Sequence, residues 1–253
     1  MASKKKQVSA PRPPSPKVKE RAAQVVQRLS RAIPDPHVEL HFENPWQLLV
    51  AVILSAQSTD RMVNSVMPKL LEKWPDARAL AAAPQEEVEV VIKSTGFFRN
   101  KAKAIREMSR ILVERFDGQV PKTMEEMLEL PGVARKTANV VLGVAYKVAA
   151  GIPVDTHAMR VSQRLGLTRH TDPVKIEAAL CALFPQREWT RMGHRFVLHG
   201  RHVCTARAPR CRQCPLNEIC PSAMEEPEGT WQARADAEAR EMESRAEPFH
   251  RAG

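Results

Sequence analysis

The stretch LPGVARKTANVV, residues 130–141, predicts the fold because it joins two helices through a very short turn. Upstream of the turn, Thr123 is followed three residues later by Glu126, which is the spacing of a helix N-terminal capping box. A proline and Gly132 end this first helix, and a second, apolar helix begins near Lys136. The pattern predicts a helix–hairpin–helix whose turn presents backbone N–H groups that suit a phosphate. A purely structural helix pair is the alternative.

Lys136 lies at the positive end of the second helix's dipole, where a further positive charge is disfavoured. This position favours the neutral amine, and a neutral amine is the nucleophile of Schiff-base chemistry. A lysine that contacts a phosphate or faces solvent is the more common alternative, and the spacing alone does not exclude it. Ala134, in the middle of the turn, adds a methyl group where glycine would allow a closer approach to a phosphate.

Asp155 is the second candidate for chemistry. It lies in GIPVDTHAMRVSQRLGL, residues 151–167, after an apolar trio and before an apparent helix. Its ordinary role at such a place is to cap the helix N-terminus. Its functional role is that of a carboxylate that stabilises positive charge developing on a sugar or activates Lys136.

Four of the five cysteines fall within CTARAPRCRQCPLNEIC, residues 204–220, with the spacing C-x6-C-x2-C-x5-C. They are Cys204, Cys211, Cys214 and Cys220. Zinc sites with four cysteines usually present two close pairs, and only one close pair occurs here, so an iron–sulfur cluster in one compact loop fits better. No oxygen- or hydride-handling motif accompanies the loop, which favours a structural cluster. Cys181 is predicted to be a small buried apolar residue.

The net charge of +10 on the 253-residue chain is unevenly distributed. Residues 1–19 carry six basic and no acidic residues, and their proline-rich composition predicts a disordered basic arm. Residues 224–253 carry eight acidic and four basic residues and are predicted to be an exposed tail. The segment between them keeps a charge of +8, which favours a polyanionic partner, with an ordinary basic protein as the alternative.

Helical signals dominate between the two ends. Asn44 and Pro45 match the cap and first position of an apolar helix, and Gly96 is placed to end another helix in a left-handed conformation. Short apolar runs lie inside helical context, so the predicted fold class is all-α. No run approaches the roughly 18 apolar residues of a membrane span, and no signal-peptide pattern opens the chain. Five cysteines in an intracellular chain indicate metal or redox chemistry.

Several stretches, in order along the chain, resemble the endonuclease III family of helix–hairpin–helix DNA glycosylases and AP lyases. They are LLVAVILSAQSTD, STGFFRNKA, LPGVARKTANVVL, VDTHAMRV, LHGRHVC and the cysteine spacing. The resemblance spans about residues 20–222. It implies a six-helix barrel with the helix–hairpin–helix over residues 38–148, and an iron–sulfur domain formed by residues 20–37 and 149–223.

By their positions in these motifs, Lys136 resembles the family's catalytic lysine and Asp155 its catalytic aspartate. The resemblance assigns Gln57 to the gap left by an extruded base and Phe97 to the wedge beside it. The family's bacterial prototype has leucine at the wedge, so Phe97 is a departure, and core packing is the alternative for Phe97 and Phe98.

The resemblance also places Gly132 and Ala134 in a DNA-binding hairpin, although the family often has glycine where Ala134 stands. It implies a [4Fe-4S] cluster on the four cysteines of the loop. The implied partner is double-stranded DNA that contains oxidised pyrimidines or abasic sites, cut 3′ to the lesion by β-elimination through a lysine Schiff base. A monomer is expected, cytoplasmic and nucleoid-associated if the source is bacterial.

Two other functions stay open on the sequence. One is a monofunctional adenine-type glycosylase on the same fold, a family that lacks a lysine at the position of Lys136. The other is a non-catalytic iron–sulfur DNA-binding protein, which the presence of both Lys136 and Asp155 disfavours.

Overall fold

The computed structural model describes residues 13–245, which form twelve α-helices and three 3₁₀ turns and contain no β-strand. The helices are α1 (Pro16–Ala32), α2 (Pro45–Leu54), α3 (Asp60–Lys73), α4 (Ala77–Ala82), α5 (Gln85–Ile92), α6 (Phe98–Phe116), α7 (Met124–Leu128), α8 (Arg135–Ala145), α9 (Thr156–Arg164), α10 (Pro173–Cys181), α11 (Trp189–His202) and α12 (Trp231–Arg245). The 3₁₀ turns span Lys93–Thr95, Gln186–Glu188 and Asn217–Ile219. The predicted all-α class is confirmed. None of the described helices has the length and apolarity needed to cross a membrane.

The described chain divides into two compact units. The hairpin unit contains residues 36–155 and 186–197, and the cysteine unit contains residues 13–35, 156–185 and 198–245. Residues 149–155 and 186–197 therefore group with the hairpin unit, whereas the sequence assigned them to the iron–sulfur domain.

Two close helix contacts explain this difference in the boundaries. A Cβ added at Gly193 would lie 2.5 Å from the Pro153 side chain, and one added at Gly143 would lie 2.5 Å from Thr190. The first half of α11 is thus packed directly against α8 and against the segment that leads to Asp155.

The hairpin unit is built around α2, a helix buried on almost every side. Every residue from Trp46 to Leu54 is buried, so the helix needs neighbours all round, and α6 and α8 are among those that pack on it. The predicted start of α2 is confirmed: the Asn44 side chain accepts a hydrogen bond from the Gln47 N–H at 3.0 Å, and Pro45 is the first helical residue. Helix α2 gives the unit a fixed centre.

In the cysteine unit, α1 packs against α12, so the prediction of an exposed tail is wrong for residues 231–245. Ala235 is fully buried in a cluster with Ala32 and Ile33. The guanidinium carbon of Arg28 lies 5.1 Å from the centre of the Trp231 ring, at cation–π distance. These contacts bury one side of α12 against α1, which its sparse apolar residues did not predict.

The predicted basic arm is only partly described. Residues 1–12 lie outside the described residues, and residues 16–19 form the first turn of α1 instead of being disordered. Pro16 stands at the first helical position, where its missing N–H leaves no bond unmade.

Arg234 explains how the polar helix α12 is anchored. Its side chain is buried, and its Nε donates a hydrogen bond to the Cys214 carbonyl at 2.9 Å. The other guanidinium nitrogens donate to the Glu228 and Gly229 carbonyls and to the Glu218 carboxylate. One planar cation thus connects α12 to the backbone at Cys214 and at residues 228–229, and to a carboxylate on the 3₁₀ turn Asn217–Ile219.

We expect Arg234→Ala to lower the free energy of unfolding of the cysteine unit by about 3 kcal/mol, because it removes several hydrogen bonds that a buried, charged donor makes to backbone carbonyls and a carboxylate. Chemical denaturation followed by circular dichroism measures the change. Arg240→Ala is the matched control, since Arg240 is exposed on the same helix. Equal losses in the two variants would contradict the anchoring role.

Candidate nucleic-acid interface and cysteine pocket

The structure contains the predicted hairpin, with α7 and α8 joined at Leu130–Ala134. The Glu126 N–H donates to the Thr123 hydroxyl oxygen at 3.3 Å, as expected of a capping box. The Glu126 carboxylate accepts from the Thr123 hydroxyl at 2.6 Å. The Val133 N–H donates to the Leu130 carbonyl at 3.1 Å and closes the turn.

Gly132 and Ala134 have different backbone requirements within this turn. Gly132 has a φ of +76°, and a Cβ added there would lie 3.0 Å from the Cβ of Ala104, so both conformation and space favour glycine. Ala134 has a φ of −94° and a ψ of 170°, which is extended backbone open to any residue. The alanine is therefore compatible with the hairpin.

Lys136 is the second residue of α8, and its side chain is exposed. Ala134, at the cap position, makes no side-chain hydrogen bond to the helix, and the first turn of α8 contains no acidic residue. The N–H groups at this helix start are consequently directed at an exposed surface that carries positive charge. The amine lies beside a site suited to a phosphate.

His194 of α11 is a polar group near Lys136 that sequence reasoning missed. Its imidazole is buried, and Nε2 has no hydrogen-bond partner among residues 13–245. Burial, and then the positive charges of His37 and Lys136, lower the pKa of His194 to about 4. His194 is therefore neutral near pH 7 and adds no positive charge next to the lysine. A single histidine in a helix gives no sequence signal of this neighbourhood.

Asp155 belongs to the same compact unit as Lys136 and directly precedes α9. Its side chain is half-buried, and the four residues before it are buried. Because Pro153 packs on Gly193, the backbone that leads to the carboxylate is held against α11. Both predicted catalytic residues are therefore placed by well-packed segments of one unit.

Gln57 and Phe97 share an unusual backbone conformation. Both are non-glycine residues with left-handed φ values, 53° and 47°, and both side chains are exposed. Such residues are uncommon, and they concentrate at functional sites. Phe97 is 62% exposed, so the core-packing alternative is wrong for it, whereas Phe98 packs against the core.

Gly96 precedes Phe97 and has a φ of 71° with a ψ of 159°. The positive φ expected at this position is confirmed, but the ψ value is extended and lies outside the left-handed helical region. Two successive residues with positive φ turn the chain sharply between the 3₁₀ turn Lys93–Thr95 and α6. The turn presents the Phe97 ring to solvent.

The four cysteines of the loop line a single pocket in the cysteine unit, and none of them forms a disulfide. The pocket holds about 360 Å³ of space free of protein atoms, part of it open to solvent. Burial, and then the other three thiols, raise the pKa of Cys220 above its ordinary value. Cys181, predicted to be buried, is the last residue of α10 and only half-buried.

The four thiols of this pocket are a donor set that could hold an iron–sulfur cluster. In residues 13–245 no three His, Cys, Asp or Glu side chains converge on one point as ligands of one metal ion do. The thiols surround a shared space instead, which is the arrangement that a group with several iron atoms requires.

Arginines hold the irregular backbone around the pocket. Arg160 donates to the Cys204 carbonyl at 3.0 Å and to the Gly200 carbonyl at 2.8 Å. Arg164 donates to the Thr205 carbonyl at 2.7 Å, and its Nη1 lies 3.4 Å from the Cys204 sulfur. Side chains of α9 therefore add to the backbone hydrogen bonds and the 3₁₀ turn Asn217–Ile219 in fixing the geometry of this loop.

His199 connects the pocket to α12. Its Nδ1 lies 3.1 Å from the Glu238 carboxylate, and its Nε2 lies 3.6 Å from the Cys214 sulfur. All three side chains belong to the cysteine unit, and the histidine and glutamate are buried. Sequence reasoning missed this chain of contacts because Glu238 lies in a segment that reads as a polar tail.

Comparison with known proteins identifies close relatives. Residues 50–186 match the family described as HhH-GPD superfamily base excision DNA repair protein. Endonuclease III of Synechocystis sp. is 53% identical over 205 residues, which cover 81% of this chain and 94% of the relative.

Two solved structures are similar over most of the described fold. One is a non-covalent endonuclease III–DNA complex, with a TM-score of 0.77. The other is a trapped covalent endonuclease III–DNA intermediate, with a TM-score of 0.78. Each is 42% identical to this chain. In each case the matched region covers 81% of this chain and 96% of the solved chain.

The hairpin geometry makes a prediction about its two small residues. Gly132→Ala should lower the free energy of unfolding by about 1–2 kcal/mol, because an L side chain is strained at positive φ. Ala134→Gly should change it by less than about 0.5 kcal/mol, since the backbone there is extended. Urea denaturation of the two variants measures both values. Equal tolerance of the two substitutions would contradict the assigned turn geometry.

Proposed function

Because the chain belongs to the HhH-GPD superfamily of base excision DNA repair proteins, we propose that it is a bifunctional DNA glycosylase and AP lyase. The observation that carries the lyase activity is the similarity to a protein trapped as a covalent intermediate on DNA, together with an exposed lysine at the start of α8. We assign Lys136 as the nucleophile and Asp155 as the carboxylate that assists it. The substrates are oxidised pyrimidines in duplex DNA and abasic sites.

The chemistry proceeds through a Schiff base on Lys136. The neutral amine attacks the sugar C1′, the C1′–N bond breaks, and the base leaves with the bonding electrons. Asp155 stabilises the positive charge that develops on the sugar. Ring opening then gives an iminium ion, which acidifies the C2′ proton. Loss of that proton breaks the C3′–O bond and cuts the strand 3′ to the lesion.

DNA binding uses the hairpin and the two exposed loops. The turn around Gly132 and Ala134 and the first N–H groups of α8 bind a backbone phosphate. The target nucleotide leaves the stack, which costs a few kcal/mol and less for a damaged base. Gln57 fills the space that the base leaves, and Phe97 inserts next to it. Both side chains are exposed, which supports this assignment.

The cysteine pocket is assigned to a [4Fe-4S] cluster. Cys204, Cys211, Cys214 and Cys220 would hold it, and when bound it supplies iron–thiolate bonds that cross-link four points of an irregular loop. Its role is structural. The arginines that bind the loop carbonyls hold the same backbone segments from outside the pocket.

The remaining assignments concern the setting in which the enzyme works. We assign it as an intracellular monomer, which in a bacterial source would act on nucleoid DNA in the cytoplasm. The charge of +8 outside the two terminal segments favours a polyanion as partner. The monofunctional alternative is disfavoured because Lys136 is exposed at the hairpin, and the non-catalytic alternative because Asp155 is present in the same unit.

Lys136→Ala should abolish the covalent adduct that borohydride traps between the enzyme and a duplex containing thymine glycol. The reason is that reduction captures only a lysine iminium ion. Lys103→Ala, an exposed lysine on α6, is the control and should retain the adduct. Gel electrophoresis of the reduced mixture separates the covalent complex from free DNA.

The same assay distinguishes the alternatives. A wild-type enzyme that releases the base but leaves an intact abasic strand would indicate a monofunctional glycosylase. Tight binding without any product would indicate a DNA-binding protein without catalysis. Adduct formation by Lys136→Ala would assign the nucleophile to another residue.

Cys214→Ser should remove iron, sulfide and the brown colour from the purified protein, because the cluster loses one of its four thiolates. Cys181→Ser lies outside the pocket and should retain all three. Iron and sulfide assays together with the visible absorption spectrum measure the outcome. A colourless wild-type protein that contains zinc would refute the cluster.

A further inference from the structure

Lys101 is a buried lysine that the proposed chemistry does not use. It lies on α6, and only 6% of its surface is exposed. Its ammonium donates hydrogen bonds to the Leu54 carbonyl at 2.8 Å and to the Thr95 carbonyl at 2.7 Å. Within residues 13–245 its ammonium forms no ion pair with a carboxylate, and burial lowers its pKa below the ordinary lysine value. Burying an ammonium group costs free energy unless it is hydrogen-bonded. The two carbonyls that accept from Lys101 therefore indicate its role.

The two acceptors lie just before Gln57 and Phe97, which are both exposed and both have left-handed backbone. Leu54 is the last residue of α2, three positions before Gln57. Thr95 is the last residue of a 3₁₀ turn, two positions before Phe97. One nitrogen atom therefore joins the backbone segments from which both side chains project.

The local structure explains why each segment needs this donor. The carbonyl of Leu54 is at the C-terminus of α2, where no helical N–H remains to bond it and a positive charge complements the dipole. Thr95 is buried, and its hydroxyl donates to the Ile92 carbonyl at 2.8 Å, so the end of the 3₁₀ turn is held on both sides. Beyond these points the chain enters positive φ at Gln57 and at Gly96–Phe97.

We propose that Lys101 is a positioning residue that fixes the spacing of Gln57 and Phe97 before DNA binds. The inference rests on the proposed function, since it assumes that these two side chains enter the duplex. A lysine is suited to the task because its ammonium has three donors and bonds two carbonyls at once. Holding both loops in the bound geometry lowers the entropy lost when they insert. Lys101 itself contacts neither the substrate nor the reacting atoms.

The experiment compares substrates that do and do not need insertion into a duplex. Single-turnover rates are measured for thymine glycol in duplex DNA and for an abasic site in a single strand, with Lys101→Met and the exposed control Lys103→Met. Lys101→Met should lower the duplex rate tenfold to a hundredfold, because small misplacement of positioning groups has effects of about that size. The single-strand rate should stay within about twofold of wild type. Lys103→Met should leave the ratio of the two rates unchanged.

A fluorescent base next to the lesion gives a readout that is independent of chemistry. Wild-type enzyme should raise 2-aminopurine fluorescence as the stack opens, and Lys101→Met should raise it less at saturating protein. Thermal unfolding is measured in parallel, with assays carried out well below the transition. If the variant does not fold, Lys101→Gln replaces it, because its amide offers two N–H donors to the same carbonyls.

A double-variant cycle tests whether Lys101 acts through the wedge. In a Phe97→Ala background, Lys101→Met should change the duplex-to-single-strand ratio less than it does in wild type. Equal losses on both substrates, or full additivity with Phe97→Ala, would overturn the proposal and leave Lys101 a stabiliser of the fold. If the wild-type protein cuts neither substrate, the proposed function itself fails, which is a separate result.

Discussion

The first turn of α8 leaves backbone N–H groups without acceptors in their own helix, and Ala134 provides no side chain to satisfy them. This helix start, which Ala134 does not cap, is the constraint on which the interface depends. A helix start of this kind suits an anion, so it is where the proposed contact with a backbone phosphate would form. The proposed nucleophile, Lys136, stands in the same first turn. The proposed phosphate contact and the proposed nucleophile thus share one short piece of backbone.

The packed interior of the hairpin unit holds the exposed interface at the start of α8 in place. Helix α2 is buried along almost its whole length, and α8 packs against it, so the hairpin cannot shift without moving the core. The contact between Gly193 and Pro153 extends this packing to the segment before Asp155. Reactive groups can be solvent-accessible because the backbone that carries them is not mobile relative to the core.

Features with local signals were predictable from the sequence, and those that depend on distant partners were not. The caps at Asn44 and Thr123 and the cysteine spacing each involve residues a few positions apart, and the structure contains them as expected. The packing of α12 was missed because buried arginine and glutamate replace the apolar stripe that marks most packed helices. Likewise, nothing in the sequence around Lys101 indicates that its acceptors lie 47 and 6 positions away.

The cysteine unit relies on polar anchoring where the hairpin unit relies on apolar packing. The loop of residues 204–220 has short-range backbone hydrogen bonds of its own, and further carbonyls along it need side-chain donors. Arg160, Arg164 and Arg234 supply them, and each does so from a helix. Guanidinium groups suit this role because several fixed donors on one plane bond carbonyls from different segments. Since Arg234 lies on α12 and bonds the carbonyl of a cysteine in the pocket, the C-terminal helix becomes part of the structure that holds the four thiols in place.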